Sequence, residues 1–341
     1  MKKTRFFALA VAVMLIASCG GSKDDKKDLA DQEKKVNETP ARNNGYFLMH
    51  YSPLKSMFIS EFGKEFSKLD TCKSWVSHIS SDAAGTLYAS PVDLKLGVIR
   101  STDNGKTWNP AANNYAGKTE NATYAIAAGK AKSVYALSSH GDFYVSSDGG
   151  DNWEKRTSPC VKNVPHKSPA MGIEAYLAVS ADGKKILAQA WFFEETVLAV
   201  SEDEGKTWSA IPAPTERNSS KGIGFCSDRI VYASYDQLFY TDDLGKTWFT
   251  STPEKLVSKG SESSFYGYRH FVTDGDLFVV GVEAPAAERS RDAKNKYPGA
   301  IFFSKDAGKT FEVLAFPHSV DPTPTVSDET VFLTFVPKKK S

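Results

Sequence analysis

From about residue 45 onward the apolar side chains fall in short runs and lack the three-to-four residue rhythm of an amphipathic helix. Thr86-Leu-Tyr-Ala89, Ser133-Val-Tyr-Ala-Leu137, Lys185-Ile-Leu-Ala188, Ile230-Val-Tyr-Ala233, Leu277-Phe-Val-Val280 and Val331-Phe-Leu-Thr-Phe335 each follow a polar turn, at Asp82, Gly129, Asp182, Asp228, Asp274 and Asp328 respectively. Brief runs rich in Val, Ile, Tyr and Phe and bounded by Gly, Asp and Asn predict strands entered from tight turns. A second set, including Gly97-Val-Ile-Arg100, Phe143-Tyr-Val145 and Ile301-Phe-Phe303, leads instead into a polar phrase closed by an aromatic residue. The two sets interleave, so inner and outer hairpins alternate along the chain. Their joint period of about forty to fifty residues suits a repeated antiparallel unit of four strands. The pattern predicts an all-β fold.

The polar phrase is itself a repeat. It reads Ser101-Thr-Asp103-Asn-Gly105-Lys-Thr107-Trp108, Ser146-Ser-Asp148-Gly-Gly150-Asp-Asn-Trp153 and Ser201-Glu-Asp203-Glu-Gly205-Lys-Thr207-Trp208. It returns as Thr241-Asp-Asp243-Leu-Gly245-Lys-Thr247-Trp248 and Ser304-Lys-Asp306-Ala-Gly308-Lys-Thr310-Phe311, and a shortened copy without the aspartate lies at Ser60–Phe66. An Asp carboxylate and a Ser or Thr hydroxyl can accept hydrogen bonds from N–H groups inside such a loop, and Gly takes the positive-φ position that a Cβ opposes. The closing ring starts the next strand and can bury itself against neighbouring sheet. This chemistry stabilises a hairpin and is not arranged for catalysis.

Phrases of the form Ser/Thr-x-Asp-x-Gly-x-Thr-Trp make the chain resemble the Asp-box, or BNR-repeat, propellers, which include sialidases, glucan-cleaving exoenzymes, sortilin-type receptors and photosystem assembly factors. The resemblance covers nearly everything from residue 45 and implies a β-propeller, and six inner hairpins alternating with six outer ones make six blades of four antiparallel strands. It implies fold far more strongly than function. In such proteins the boxes lie at the outer rim, away from the axial site, so no box residue is expected to be catalytic. The chain opens with an outer hairpin near Gly63 and finishes with an inner one near Asp328, so its two ends are expected to share the closing blade. The strand-like segment Tyr46-Phe-Leu-Met-His50 either adds to that seam or displaces part of the carboxy-terminal contribution.

The amino terminus has a different character. Lys2, Lys3 and Arg5 precede an apolar run, Phe6 to Ala17, that is short for a membrane span and reads as a cleaved signal peptide, residues 1–18. It ends in Ile16-Ala17-Ser18-Cys19, which resembles the lipobox of bacterial lipoproteins and implies acyl chains on Cys19 that hold the protein at a membrane. Residues 19–44 have no aromatic residue and are dense in Lys, Asp, Glu and Asn, the composition of a disordered tether. Gly20 is not the aspartate that resembles an inner-membrane retention signal. Lys23-Asp24-Asp25 reads either as a basic-acidic surface-export signal or as plain linker. The expected location is the cell envelope, as an outer-membrane lipoprotein facing the periplasm or the exterior. The propeller should occupy residues 45–337, ahead of a basic tail at 338–341.

Forty-two basic against forty-one acidic side chains leave a net charge of +1, so no global field attracts nucleic acid. Cys72, Cys160 and Cys226 lack metal-ligand spacing and are expected as thiols or as one disulfide at most. No pattern calls for a metal or a cofactor.

A ligand is expected where the loops between blades and between second and third strands gather. Candidates there are Trp75 and His78, preceding one inner strand, and Tyr266, Tyr268, Arg269 and His270, preceding another. Trp191, Phe192, Phe193, Glu194 and Glu195 form an aromatic-acidic cluster between strands, a composition that suits sugar or peptide recognition or, alternatively, packing between blades. A sialidase needs an arginine triad and an early Phe/Tyr-Arg-Ile/Leu-Pro phrase. The phrase is absent, and the folded region offers only Arg100, Arg156, Arg217, Arg229, Arg269, Arg289 and Arg291. The reading is therefore a non-catalytic binding or assembly propeller for an envelope protein or glycan. The alternative is a glycoside hydrolase, sialidase-like or another exo-glycosidase, with an axial pair of carboxylates.

Overall fold

The structure is a computed structural model. It describes residues 45–51, 56–61, 67–69, 76–82, 84–91, 97–111, 123–130, 132–138, 141–159, 175–180, 182–192, 195–215, 222–226, 229–234, 237–251, 267–274, 277–283, 299–304, 312–314 and 331–337. Before residue 76 and after residue 250, and at residues 77, 124, 191, 192, 195 and 196, the description is of the backbone alone. The chain divides into two units, Met1–Asn44 and Gly45–Ser341. The segments expected as signal peptide and tether, with Cys19, and the expected tail at 338–341 lie outside the described residues.

Among the described residues every regular element is a strand, so no helix is long and apolar enough to cross a membrane. The first three strands, β1 (Gly45–Tyr51), β2 (Ser56–Glu61) and β3 (Ser67–Leu69), run antiparallel. Each following sheet uses four consecutive strands. These are β4 (Val76–Ser81), β5 (Leu87–Pro91), β6 (Ile99–Ser101) and β7 (Asn109–Pro110), then β8 (Thr123–Ala128), β9 (Val134–Ser138), β10 (Phe143–Ser146) and β11 (Glu154–Arg156). The next are β12 (Ala175–Val179), β13 (Ile186–Phe192), β14 (Glu195–Ser201) and β15 (Ser209–Ala210), then β16 (Gly222–Cys226), β17 (Arg229–Ala233), β18 (Leu238–Thr241) and β19 (Phe249–Ser251). The last set is β20 (Gly267–Asp274), β21 (Leu277–Glu283), β22 (Gly299–Ser304) and β23 (Glu312–Leu314). Finally β24 (Val331–Pro337) lies antiparallel to β1, from Gly45 opposite Pro337 to Tyr51 opposite Val331, in the order β24-β1-β2-β3. Tyr46–His50 therefore sits in β1, and its sheet takes three strands from one end of the region and one from the other.

Consecutive sheets pack face to face. All five residues of β9 are buried, because Val134 and Ala136 join one core with Tyr88, Ile126, Tyr144 and Trp153, while Tyr135 and Leu137 join the next with Phe143, Val145 and Ile186. A strand alternates its side chains between faces, and here both faces are covered, which is why the inner runs read as continuous apolar stretches. A third core holds Leu187, Leu198, Ile211, Phe225, Ile230 and Tyr232. Each large side chain so buried contributes about 1.5–3 kcal/mol.

Polar links cross between sheets as well. Arg100 Nη1 donates to the Gly149 carbonyl at 2.8 Å and Arg156 Nη1 to the Glu204 carbonyl at 2.8 Å, so each arginine clasps the turn of the following sheet. The glycines of those turns admit nothing larger. At Gly205 and Gly245, both with φ of 82°, a Cβ would overlap Phe143 and Ile211.

Candidate functional site

The repeated phrase builds one hairpin turn four times among the described residues. In the first copy Ser101 Oγ donates to the Asp103 carboxylate at 2.8 Å and accepts from the Gly105 N–H at 2.8 Å. The same carboxylate accepts from the Thr107 N–H at 2.8 Å and the Thr107 hydroxyl at 2.6 Å. Ser146, Asp148, Gly150 and Asn152 repeat the pattern, as do Ser201, Asp203, Gly205 and Thr207. In the fourth copy Thr241 donates to Asp243, accepts from Gly245, and Asp243 accepts from Thr247.

Hydrogen bonds to Thr107 and Thr207 hold the carboxyls of Asp103 and Asp203 down at about 2, and those to Asn152 do the same for Asp148. The backbone N–H of Thr247 likewise lowers Asp243. These acids are ionised and committed to their own turns, the opposite of what proton transfer to a leaving group requires. The indole N–H groups of Trp108 and Trp153 donate to Gly105 and Gly150 in their own turns. Those of Trp208 and Trp248 reach the carbonyls of Thr157 and Pro212, near the ends of the preceding sheets. In the fifth copy Ser304 ends β22, while Asp306, Gly308 and Phe311 lie outside the described residues.

The candidate ligand residues belong to the other edge of the sheets. There the inner strands begin, paired with the ends of their neighbours: Val76 opposite Pro91, Ala175 opposite Ala190, Gly267 opposite Glu283. Trp191 and Phe192 end β13 and pair with Thr196 and Glu195 of β14, so only Phe193 and Glu194 separate the two strands. Tyr268, Arg269 and His270 open β20 and His78 lies within β4, the strands that come before and pair with the apolar runs in β21 and β5. Trp75, Glu194 and Tyr266 lie outside the described residues, and Trp191, Phe192, Glu195, Tyr268, Arg269 and His270 are described by backbone alone.

Two features escaped sequence reasoning. The pairing slips by one residue at Ser77 in β4, Tyr124 in β8 and Arg269 in β20, each next to the start of an inner strand. Such bulges re-aim the side chain that follows, and no local residue pattern marks them. The second is the surrounding of His78. Its ring meets Tyr176 of β12 edge to face, with centroids 5.6 Å apart, although β8 stands between β4 and β12. Burial pushes the imidazole down to about 4, against a smaller upward pull from the Ala175 backbone, so the ring is neutral at physiological pH. Tyr176 had no signal beyond its place in an apolar run.

Among the described residues no group of three or more His, Cys, Asp or Glu side chains is placed to hold a metal ion. Cys226 is buried, and Cys72 and Cys160 lie outside the described residues.

Residues 99–110, which contain the first complete turn, match the BNR/Asp-box repeat. The chain carries a BNR/Asp-box repeat. No curated protein matches it in sequence. Among solved structures, a chain of a nidogen/laminin complex superposes with a TM-score of 0.56 at 6% identity, over 86% of this chain and 98% of that one. The GH74 enzyme of Niastella koreensis superposes with a TM-score of 0.50 at 14% identity, over 79% of this chain, which spans 45% of the enzyme's length. YCF48 from Cyanidioschyzon merolae gives 0.46 at 16% identity, over 79% and 85%. The structural neighbours are β-propellers, and at these identities the likeness is one of fold.

Proposed function

We propose that this BNR/Asp-box protein is a non-catalytic binding or assembly propeller, anchored through acyl chains on Cys19 to the outer membrane of a bacterial envelope, and that it recognises an envelope protein or glycan. The segregation of its side chains carries the reading. The repeated acids Asp103, Asp148, Asp203 and Asp243 are spent on turns at one edge of the sheets, with carboxyls held low. Trp191, Phe192, Glu195, Tyr268, Arg269 and His270 fall on strand positions at the opposite edge. Aromatic and charged residues gathered on several strand ends make a recognition surface.

The same reading takes the sheets as six blades of a closed ring. It is supported by β24 completing the sheet of β1, β2 and β3, and by inner strands that neighbour one another in the order β4, β8, β12, β16, β20 and β24, with β24 beside β4. A shared sheet leaves no inner strand unpartnered.

The test is affinity capture from native envelopes with the full chain and with Trp191→Ala and Arg269→Ala variants. Capture of a defined protein or glycan should be lost in the variants while their unfolding midpoints match the parent. Release of reducing sugar from envelope glycans during the incubation would instead establish the glycoside hydrolase alternative. Capture that both variants leave unchanged would remove the binding site from this edge.

A further inference from the structure

We propose a second ligand site, on the outer hairpin of β18 and β19, where the ring of Phe249 forms a platform for a neutral saccharide. Among the described residues the large apolar side chains left exposed are Leu244, at 38%, and Phe249, at 49%, and both belong to this hairpin. The internal repeat shows that the position is open by design of the fold and that only its occupant is unusual. Asn109, Glu154 and Ser209 follow the closing Trp in the other described copies, each exposed and each polar. Where Leu244 stands, two of those copies have exposed Asn104 and Glu204 and the third has Gly149.

Phe249 is the outermost member of a row that crosses three strands. Its ring stacks on Tyr240, directly opposite in the pairing, with centroids 5.4 Å apart and an interplanar angle of 24°. The Arg229 guanidinium lies 4.2 Å from the centroid of the Tyr240 ring and is gripped by both oxygens of Asp242, at 2.8 and 3.0 Å. The row is thus stiff before any ligand arrives, so little order is lost on binding.

Size and charge select the occupant. A stable protein contact buries about 800 Å² on each side, far more than two exposed side chains offer, whereas one ring face matches one sugar ring. Arg229 offers an anion little, because it is already neutralised by Asp242 and stacked on Tyr240. Asp242 is 58% exposed and, with two of its roughly four acceptor sites used, can still take a sugar hydroxyl.

Native affinity electrophoresis of the full chain in gels containing dextran, laminarin or hydroxyethylcellulose tests this, with dextran sulfate as the anionic comparison. At least one neutral polysaccharide should retard the protein regardless of salt. Phe249→Ser, which installs the residue found at Ser209, should weaken retardation about tenfold or more at an unchanged unfolding midpoint. Phe249→Trp should retain it, and Arg269→Ala should leave it untouched, which separates this site from the one proposed above. The assignment fails if no neutral polysaccharide retards the chain or if Phe249→Ser behaves as the parent. It fails equally if only dextran sulfate binds, or if Phe249→Ser alters self-association in sedimentation and nothing else.

Discussion

Asp103, Asp148 and Asp203 each accept hydrogen bonds from a backbone N–H and a side chain four residues on. Each carboxyl is lowered from 3.8 to about 2 in the folded protein. A depressed folded value means that their contribution is fully present above 3.8 and lost as pH falls through about 2. The unfolding midpoint in urea should therefore hold at mildly acidic pH and drop across that interval. The triple variant Asp103→Asn, Asp148→Asn, Asp203→Asn should be less stable near neutrality yet fall less steeply in acid. Parallel acid profiles for parent and variant would place the acid sensitivity outside these turns. The turns were readable from sequence because every partner lies within four residues, so spacing alone specifies the geometry. The contact of His78 with Tyr176 joins residues far apart in the chain, and no spacing encodes it.

At the level of elements, the apolar runs announced strands but not what ties one sheet to the next. Arg156, on β11, donates to the Glu204 carbonyl at 2.8 Å and pairs with the Glu154 carboxylate at 2.9 Å, with only 16% of its side chain exposed. A hydrogen bond from a charged donor contributes about 1.5–3 kcal/mol, whereas an exposed acid in a surface pair contributes about 0–1 kcal/mol. Arg156→Ala should accordingly lower stability in chemical denaturation by about 1.5–3 kcal/mol, with Glu154→Ala nearly silent and Arg156→Lys intermediate because one ammonium cannot reproduce the planar fork. Equal losses from Arg156→Ala and Glu154→Ala would mean that the surface pair, and not the clasp on the following turn, holds the sheets. Arg100 reaches the Gly149 carbonyl in the same way, with its partner in the next repeat. One repeat read alone shows an arginine beside a turn. Only the stacking of two repeats shows its acceptor, whereas the slips at Ser77, Tyr124 and Arg269 lie within single sheets and no local residue pattern marks them.

For the whole molecule, the order of hairpins pointed to a sheet drawn from both ends, but not to its division into three strands and one. Tyr46–His50 is apolar enough for a strand, and its pairing with β24 is fixed only when residues at the two ends of the folded region meet. In the ring proposed above, β24 is an inner strand paired with β1 along seven positions and neighboured by β20 and β4. Loss of that one strand would expose the edge of β1 and deprive β20 and β4 of one neighbour each, so the damage should spread beyond a single sheet. A chain ending at residue 330 should lose the single cooperative unfolding transition and become readily cut by protease, while one ending at residue 337 should match the full chain. A synthetic peptide of residues 331–337 added to the shorter chain should restore protection in proportion to its concentration, because binding that favours the folded state raises its stability. An unfolding curve for the shorter chain with the midpoint and steepness of the parent would show that β24 decorates the sheet of β1 without closing a ring, and the closed propeller would have to be abandoned.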